Sequence, residues 1–383
     1  MKSYFLLNPK ITYLNHGSFG ACPKPIFESY QNWQQQLEMD PVHFIVNKGQ
    51  EAMNKSKKVL ADFIKCDPID LVFTPNPSYA LNTVIRSLNL NPGDEILTTD
   101  QEYGAMDRTW NYYAKKTGAV YKKQKINLPV DSKDRFLDAF FQGLTKNTKI
   151  VFLSHITSST GLIFPIEEIC KKSNELGILS IIDGAHVPGH IPLNIEALDP
   201  TIYTGACHKW MLAPKGTSFL FVKKDFQKSI DPLVISWGYN SDNPTASQFQ
   251  DYHQMQGTTD FSSYLTIPDC IEFFNQNNWK EETKQSRNTL LNLAPIVAKE
   301  LESNLLTTNF DDFLGQMCSI PIKTTQPIKL KEYLYHKENI EIPIMEHSDK
   351  VYLRLSFQPY NTANDIEKLV DAIRKIKTST TLL

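Results

Sequence analysis

The run Ile178-Leu-Ser-Ile-Ile-Asp-Gly-Ala-His186 and the later run Tyr203-Thr-Gly-Ala-Cys-His-Lys-Trp210 decide the fold of this chain. The first is an apolar, β-rich segment that leads into Asp183 and His186, and the second carries Lys209. Parallel strands that are buried on both faces read as nearly continuous apolar runs, and ligands bind beyond the carboxyl ends of such strands. We therefore expect Asp183 at the ligand-binding edge of an α/β sheet.

An acid, an imidazole and a lysine in this arrangement suggest pyridoxal phosphate. This cofactor needs a lysine to hold its aldehyde as a Schiff base and a carboxylate to keep its pyridine nitrogen protonated. Lys209 and Asp183 would fill these two roles, and His186 is the nearest candidate to donate to the ring hydroxyl. Each residue alone is a weak indication, because an isolated lysine is usually a solvated side chain and an Asp after a strand is usually a helix cap.

Strand and helix patterns alternate around these two runs. Residues 149–154 form a short β-rich run, Pro165 opens a segment with helical spacing that Gly177 ends, and residues 178–182 form the next strand. The pattern is typical of a βαβ unit, and it extends over the first two-thirds of the chain. After about residue 255 it changes to a long helical stretch followed by mixed strands and helices, which indicates a second, smaller domain.

A helix that begins near Asn76 is a candidate phosphate site. The segment Thr74-Pro-Asn-Pro-Ser78 precedes apolar residues with helical spacing. Asn76 is expected to be the N-cap and Pro77 the first helical residue, which leaves backbone amides and the Ser78 hydroxyl to meet an anion. On this segment alone, an ordinary capped helix is the commoner interpretation.

Charge and composition argue against several classes of partner. The 383 residues include 40 Lys plus Arg and 42 Asp plus Glu, for a formal net charge of −2, without blocks of like charge, so we expect no nucleic acid and no membrane partner. The six cysteines are scattered without metal-binding or redox spacing, which favours reduced thiols. No segment resembles a signal peptide or a membrane span. These features favour a cytoplasmic protein.

Taken together, the motifs resemble those of the class V aminotransferase-like enzymes of pyridoxal phosphate fold type I, within them most closely the group of isopenicillin N epimerase and its relatives. The resemblance covers nearly the whole chain and rests on residues 13–23, 93–105, 155–165, 183–189 and 208–216.

The resemblance implies an architecture of three parts. Residues 21–255 would form a large cofactor-binding domain around a mainly parallel sheet of the seven-stranded type. Residues 256–383 would form a smaller α/β C-terminal domain, and residues 1–20 an N-terminal arm that reaches the active site.

Carried over by position, the resemblance also implies roles around the cofactor ring. Lys209 forms the internal aldimine, Asp183 pairs with the pyridine nitrogen, and His186 lies beside the ring hydroxyl. Tyr103 takes the place of the aromatic side chain that covers the ring face opposite the lysine. It is also the candidate for a second acid or base.

At the phosphate end, the resemblance implies contacts from Asn76, Ser78 and His208. Thr258 lies in a segment that resembles the one that a neighbouring subunit donates to the phosphate, so a homodimer with shared active sites is implied. In this chain Ala206 stands where relatives tend to carry a polar side chain that reaches the phosphate. We expect that contact to be missing.

For the substrate, the resemblance assigns Arg354 to the α-carboxylate, and His16 in the N-terminal arm is a second candidate for substrate binding. A planar guanidinium suits bidentate binding of a carboxylate. Cysteine desulfurases, which belong to the same group, need a nucleophilic cysteine shortly before this arginine. Residues 339–350 contain no cysteine, so desulfuration is not expected.

The expected function is removal of the α-proton from an amino acid or amino-acid-derived substrate, followed by epimerisation. A C–S or β-elimination lyase and an aminotransferase remain alternatives, since the fate of the proton decides among them. Two other classes fit less well. A metallohydrolase could use His186 and His190, but Pro188 and Gly189 disfavour a regular helical turn between them. A non-catalytic binding protein would not need the lysine, the aspartate and the arginine together.

Overall fold

A computed structural model describes all residues, 1–383. The strands are β1 Thr12–Tyr13, β2 Leu71–Thr74, β3 Glu95–Thr99, β4 Val120–Gln124, β5 Thr148–Ser154, β6 Leu179–Asp183, β7 Ile202–Ala206, β8 Ser218–Val222, β9 Met317–Ile322, β10 Ile340–Glu341, β11 Ile344–His347 and β12 Lys350–Ser356. The α-helices are α1 His16–Phe19, α2 Lys24–Met39, α3 Pro41–His43, α4 Gly49–Ile64, α5 Pro77–Ser87, α6 Gly104–Thr117, α7 Lys133–Phe141, α8 Ile166–Leu176, α9 Ile195–Leu198, α10 Gln248–Gln254, α11 Ile267–Gln276, α12 Trp279–Glu300, α13 Phe310–Phe313, α14 Pro327–His336 and α15 Ala363–Ser379.

Seven strands form the central sheet, in the order β2-β8-β7-β6-β5-β3-β4. Strands β3 to β7 are mutually parallel, whereas β8 runs antiparallel to both of its neighbours, β7 and β2. The expected mainly parallel seven-stranded sheet is confirmed. The molecule has two hydrophobic cores, one on each face of this sheet. Ile181 and Ile182 are neighbours in β6 but pack into different cores, because side chains alternate across a sheet. Helices therefore cover both faces.

The βαβ unit predicted around Asp183 is present, with boundaries shifted by a residue or two. Helix α8 starts after Pro165 and ends at Gly177, which takes the left-handed conformation with φ +65°. Strand β6 ends on Asp183, which pairs in register with Ser154 at the end of β5. Parallel neighbours thus bring both residues to one edge of the sheet.

A smaller antiparallel sheet, in the order β11-β12-β9, forms the C-terminal part together with α12, α14 and α15. The expected long helical stretch is two helices, α11 and α12, because Asn278 takes a positive φ of +47° between them. Strand β1 of the N-terminal arm pairs with β10, and α2 and α4 pack on α11. No helix has the length and apolarity that crossing a membrane requires.

Candidate active site

A cavity of about 530 Å³ lies at the carboxyl edge of the central sheet. It collects side chains from the ends of β5 and β6, from the segment after β7, from the starts of α5 and α6, and from β12. The predicted site residues that line it are Asn76, Ser78, Tyr103, Asp183, His186, His208, Lys209 and Arg354. Residues far apart in sequence therefore meet where the fold predicts a ligand site.

Asp183 is a buried carboxylate with no cationic side chain in ion-pair contact. Its Oδ1 accepts a hydrogen bond of 3.0 Å from the amide of Ala185. Burial raises the pKa of Asp183, and the Ala185 amide and the charge of Lys209 act in the opposite direction. A carboxylate placed in this way can accept a hydrogen bond from a protonated ring nitrogen in the cavity.

The amine of Lys209 lies at the cavity wall, 3.1 Å from Nε2 of His186. Burial, together with the positive charge of Arg354, lowers the pKa of Lys209 below its usual range, and Asp183 opposes this effect. A lysine with a lowered pKa holds more of its amine in the neutral, nucleophilic form. This is the property that a carbonyl-binding lysine requires.

Helix α5, whose first turn also lines the cavity, begins as the sequence predicts. The Asn76 side chain accepts a hydrogen bond of 2.8 Å from the Tyr79 amide, and Pro77 occupies the first turn. Asn76 is thus engaged as a helix cap, and Ser78 lines the cavity beside it. The helix N-terminus faces the cavity with positive partial charge, which favours an anion.

His208 is held from behind, since its Nδ1 lies 2.9 Å from the carbonyl oxygen of Thr217. Burial lowers the pKa of His208 to about 4, so its neutral form dominates without a ligand. A neutral ring that donates from Nδ1 keeps a lone pair on Nε2. His208 can therefore donate to a phosphate from Nε2 only when it is protonated.

Arg354 is the second buried charge of the cavity, with 1% of its surface exposed. It donates to the carbonyl oxygen of Ser158 at 2.6 Å and to the hydroxyl of Ser18 at 2.8 Å, while its Nε has no partner. No carboxylate pairs with it, and burial lowers its pKa to about 10. The guanidinium is held in place by neutral groups and retains its capacity to bind an anion.

Tyr103 precedes α6 and is 45% exposed at the cavity mouth. Its neighbour Glu102 is buried and accepts hydrogen bonds from the hydroxyl of Thr99 and from the amide and hydroxyl of Ser154, at 2.6, 2.8 and 2.7 Å. Burial raises the pKa of Glu102 to about 7. Sequence reasoning missed this anchor of the β3–α6 turn, although a charged residue directly before Tyr103 was a visible signal.

His16 and Thr258 lie outside the cavity. Nδ1 of His16 lies 2.9 Å from the Tyr360 hydroxyl and Nε2 lies 3.0 Å from the carbonyl oxygen of Lys209. Both ring nitrogens are occupied and the side chain is fully buried, so this geometry leaves His16 no atom for a substrate. Ser18, in the same arm, lines the cavity instead. Thr258 is exposed on the surface.

A second cavity, of about 500 Å³, adjoins the first and shares Ser18, Phe19 and Met345 with it. The N-terminal arm forms one side of this second cavity, and residues of α14 and β11 form the other. Ser18, which carries no charge but contacts Arg354, lines both cavities.

A family model described as aminotransferase class-V matches residues 21–369. The chain belongs to the class V aminotransferase family. It is 28% identical to isopenicillin N epimerase of Amycolatopsis lactamdurans, over 97% of this chain and 96% of that protein. It is also 24% identical to L-cysteine desulfhydrase of Arabidopsis thaliana, over 95% and 87% of the two chains.

Among solved structures, the class V chain is similar to a C-DES K223A mutant with glycine covalently linked to the PLP cofactor. The TM-score is 0.82 at 19% identity, with 97% of this chain and 98% of that chain covered. This likeness confirms the expected type I fold.

Class V aminotransferases are pyridoxal phosphate enzymes, and the residues of this cavity fit that cofactor. An unpaired buried carboxylate at Asp183, an amine at Lys209 and a helix N-terminus at Asn76 match the pyridine nitrogen, the aldehyde and the phosphate in chemistry. The chain is a pyridoxal-phosphate-dependent enzyme of class V. Its histidines offer no metal site, since no three His, Cys, Asp or Glu side chains cluster as ligands would.

Proposed function

We propose that this class V enzyme removes and returns the α-proton of an amino acid or amino-acid-derived substrate, with inversion at the α-carbon. The observation that carries the proposal is the unpaired guanidinium of Arg354 in the same cavity as the Lys209 amine. The first would bind the α-carboxylate and the second would reach the α-proton. Similarity to isopenicillin N epimerase supports epimerisation as the outcome.

The bound cofactor supplies an electron sink for the charge left at the α-carbon. Lys209 would hold the cofactor and, once released by the substrate amine, take the α-proton on Nζ. Its lowered pKa favours the neutral amine that this step needs. Asp183 would accept a hydrogen bond from the ring nitrogen.

Inversion needs a proton donor on the face opposite Lys209. Tyr103 is proposed for this role, because it lines the same cavity and its hydroxyl has no hydrogen-bond partner within the protein. Its O–H would deliver the proton to the α-carbon from that face.

A β-elimination lyase is the second candidate, and the single amine of the cavity favours it. Elimination needs a base on one face only, and Lys209 provides that base. Similarity to L-cysteine desulfhydrase points in the same direction. Desulfuration through a cysteine nucleophile is not supported, because Cys318 is 1% exposed in β9 and burial raises the pKa of its thiol to about 12.

We also propose that the enzyme is a homodimer in which Thr258 of one subunit contacts the phosphate in the other. Thr258 lies exposed, away from the cavity of its own chain. Large apolar side chains are also exposed on this molecule, including Trp237 at 84% and Phe19 at 68%. Sedimentation of the holoenzyme should give twice the 43.8 kDa mass of the chain.

The reaction is tested by incubating the cofactor-loaded enzyme with a panel of L- and D-amino acids in deuterated water. Deuterium at the α-carbon together with inversion would support epimerisation. Release of ammonia and a keto acid without inversion would support elimination, and transfer of the amino group would support transamination. Lys209→Ala is the control, and it should abolish exchange. Absence of exchange from every substrate in the panel would contradict the proposal.

A further inference from the structure

The indole of Trp210 is fully buried and contacts two histidine rings. The ring of His190 stacks on it with centroids 3.8 Å apart and planes inclined by 17°, and the ring of His16 lies 5.0 Å away at 56°. His16 is fixed in turn by the Tyr360 hydroxyl and by the carbonyl oxygen of Lys209. The indole is thus stacked on one histidine ring and packed against a second, and hydrogen bonds fix that second ring in place.

His190 is held equally firmly. The backbone amide of Gln316 lies 2.7 Å from its Nε2, and its Nδ1 lies 2.9 Å from the carbonyl oxygen of His186. Because an amide can only donate, Nε2 must accept, and the ring proton lies on Nδ1. Burial lowers the pKa of His190 to about 3, which keeps the ring neutral in this tautomer.

The clamped indole points its N–H at His186. Nε1 of Trp210 lies 3.3 Å from Nδ1 of His186, and an indole nitrogen can only donate. Nδ1 must therefore accept, so the neutral ring carries its proton on Nε2, the atom that lies 3.1 Å from Nζ of Lys209. The groups that face His186 are Lys209, Arg354, His190 and His16, and burial and these neighbours lower its pKa.

We propose that Trp210 is a positioning residue that fixes His186 in the Nε2-protonated tautomer, so that His186 always presents an N–H to the ring oxygen of the cofactor. The inference rests on the proposed role of His186 beside that oxygen. Without the indole donor, the imidazole can place its proton on Nδ1 and turn a lone pair toward the oxygen. The N–H stabilises negative charge on the oxygen and so disfavours the proton on the nitrogen that joins Lys209 to the cofactor.

The test is the pH titration of the visible absorption band of the holoenzyme, which needs no substrate. Trp210→Phe keeps the stacked ring and removes the donor. Loss of one hydrogen bond of about 0.5–1.5 kcal/mol should raise the apparent pKa of the lysine–cofactor linkage by roughly 0.5 to 1 unit. The matched control is Trp110→Phe, because Trp110 is also fully buried, its Nε1 has no partner, and it lies in the other core. That variant should leave the titration unchanged.

A second variant shows whether a shift in the titration comes from the lost tautomer or from general damage to the site. Gln in place of His186 presents an amide N–H that has no tautomer, so Trp210→Phe should cause no further shift in a His186→Gln background. An equal shift in both backgrounds, or no shift in the wild-type background, would overturn the proposal.

A third measurement applies to the apoprotein. The ¹⁵N chemical shifts of the His186 ring should show the proton on Nε2, and a proton on Nδ1 would refute the inference even if Trp210→Phe failed to fold. Because neither readout uses turnover, a failure of the proposed reaction leaves this test intact.

Discussion

Asp183 and Arg354 are two buried charges of one cavity that pair with neither each other nor any other charged side chain. Asp183 is 4% exposed and Arg354 1% exposed, and their hydrogen-bond partners within the protein are neutral. Burial of a charge without a charged partner costs several kcal/mol, so such residues persist where a ligand supplies the partner. At the scale of single residues, the cavity is complementary to a cationic ring nitrogen and to a carboxylate.

Arg354→Gln should weaken substrate binding selectively. Hydrogen bonds to a charged group contribute about 1.5–3 kcal/mol, so the efficiency of α-deuterium exchange should fall roughly 10- to 100-fold, mainly through a higher half-saturating substrate concentration. Arg287→Gln is a suitable control, because Arg287 binds the carbonyl oxygens of Leu314 and Phe310 away from the cavity. Equal losses in the two variants would rule out the assignment of Arg354.

Among the secondary-structure elements, α5 has a first turn that both caps the helix and lines the cavity. The Asn76 side chain caps the helix through the Tyr79 amide, and the same turn lines the cavity. Capping and phosphate binding can be separated, since Asp caps a helix as well as Asn does but carries a negative charge.

Asn76→Asp should therefore preserve stability while it raises the dissociation constant for pyridoxal phosphate, by about tenfold for each 1.4 kcal/mol of repulsion. Asn76→Ala should instead lower the free energy of unfolding by about 1 kcal/mol. Ser132→Ala removes the cap of α7, which is distant from the cofactor site, and should reduce stability alone. Thermal denaturation of the three variants checks the predicted stabilities, and cofactor titration checks the predicted affinities. Unchanged cofactor affinity in Asn76→Asp would place the phosphate elsewhere.

Buried neutral histidines should make the whole molecule sensitive to acid. Burial lowers the pKa of His16 to about 3 and those of His155 and His253 to about 4. Since the unfolded chain has a histidine pKa of about 6.5, it binds more protons than the folded chain below that pH. Stability is therefore complete above pH 6.5 and is lost as the pH falls toward 4.

His253 offers a specific test of this pH dependence, because it is 5% exposed and lies outside the active site. For this residue, each pH unit below 6.5 lowers the free energy of unfolding by about 1.4 kcal/mol, which amounts to about 3 kcal/mol at pH 4. The free energy of unfolding of His253→Gln should fall less steeply with acid than that of the wild type. Parallel slopes for wild type and His253→Gln would contradict the assignment.

At the level of the assembly, hybrid dimers can test the proposed sharing of active sites between subunits. Lys209→Ala and Thr258→Glu should each inactivate the homodimer, the second by placing a carboxylate near the phosphate. If Thr258 acts across the interface, mixed subunits should recover about one quarter of wild-type activity, since half of the dimers are hybrids with one intact site each. No recovery from two inactive parents would mean that Thr258 acts within its own subunit, and an active Thr258→Glu homodimer would mean that it has no role in the site.

The sequence by itself determined most of the elements and pointed to Asp183 and Lys209, which both line the cavity, because these signals are local. The cap at Asn76, the helix end at Gly177 and the apolar strand that ends on Asp183 depend on neighbours within a few residues, and all three are present. The lysine and the aspartate were recognisable from their chemistry and their places after two strands. The long helical stretch expected after about residue 255 is present as two helices, because a positive φ at Asn278 divides it.

Only the tertiary structure decided which side chains face the cavity. His16 lies in the arm segment where a substrate contact was expected, yet it packs against Tyr360 and Trp210, while Ser18 in the same arm reaches Arg354. Such contacts join residues more than 300 positions apart and depend on how three parts of the chain pack. Sequence periodicity reports burial along one element. It carries no information about which distant partner a ring nitrogen meets. For His186 that partner is the Trp210 indole, and it decides which ring nitrogen carries the proton.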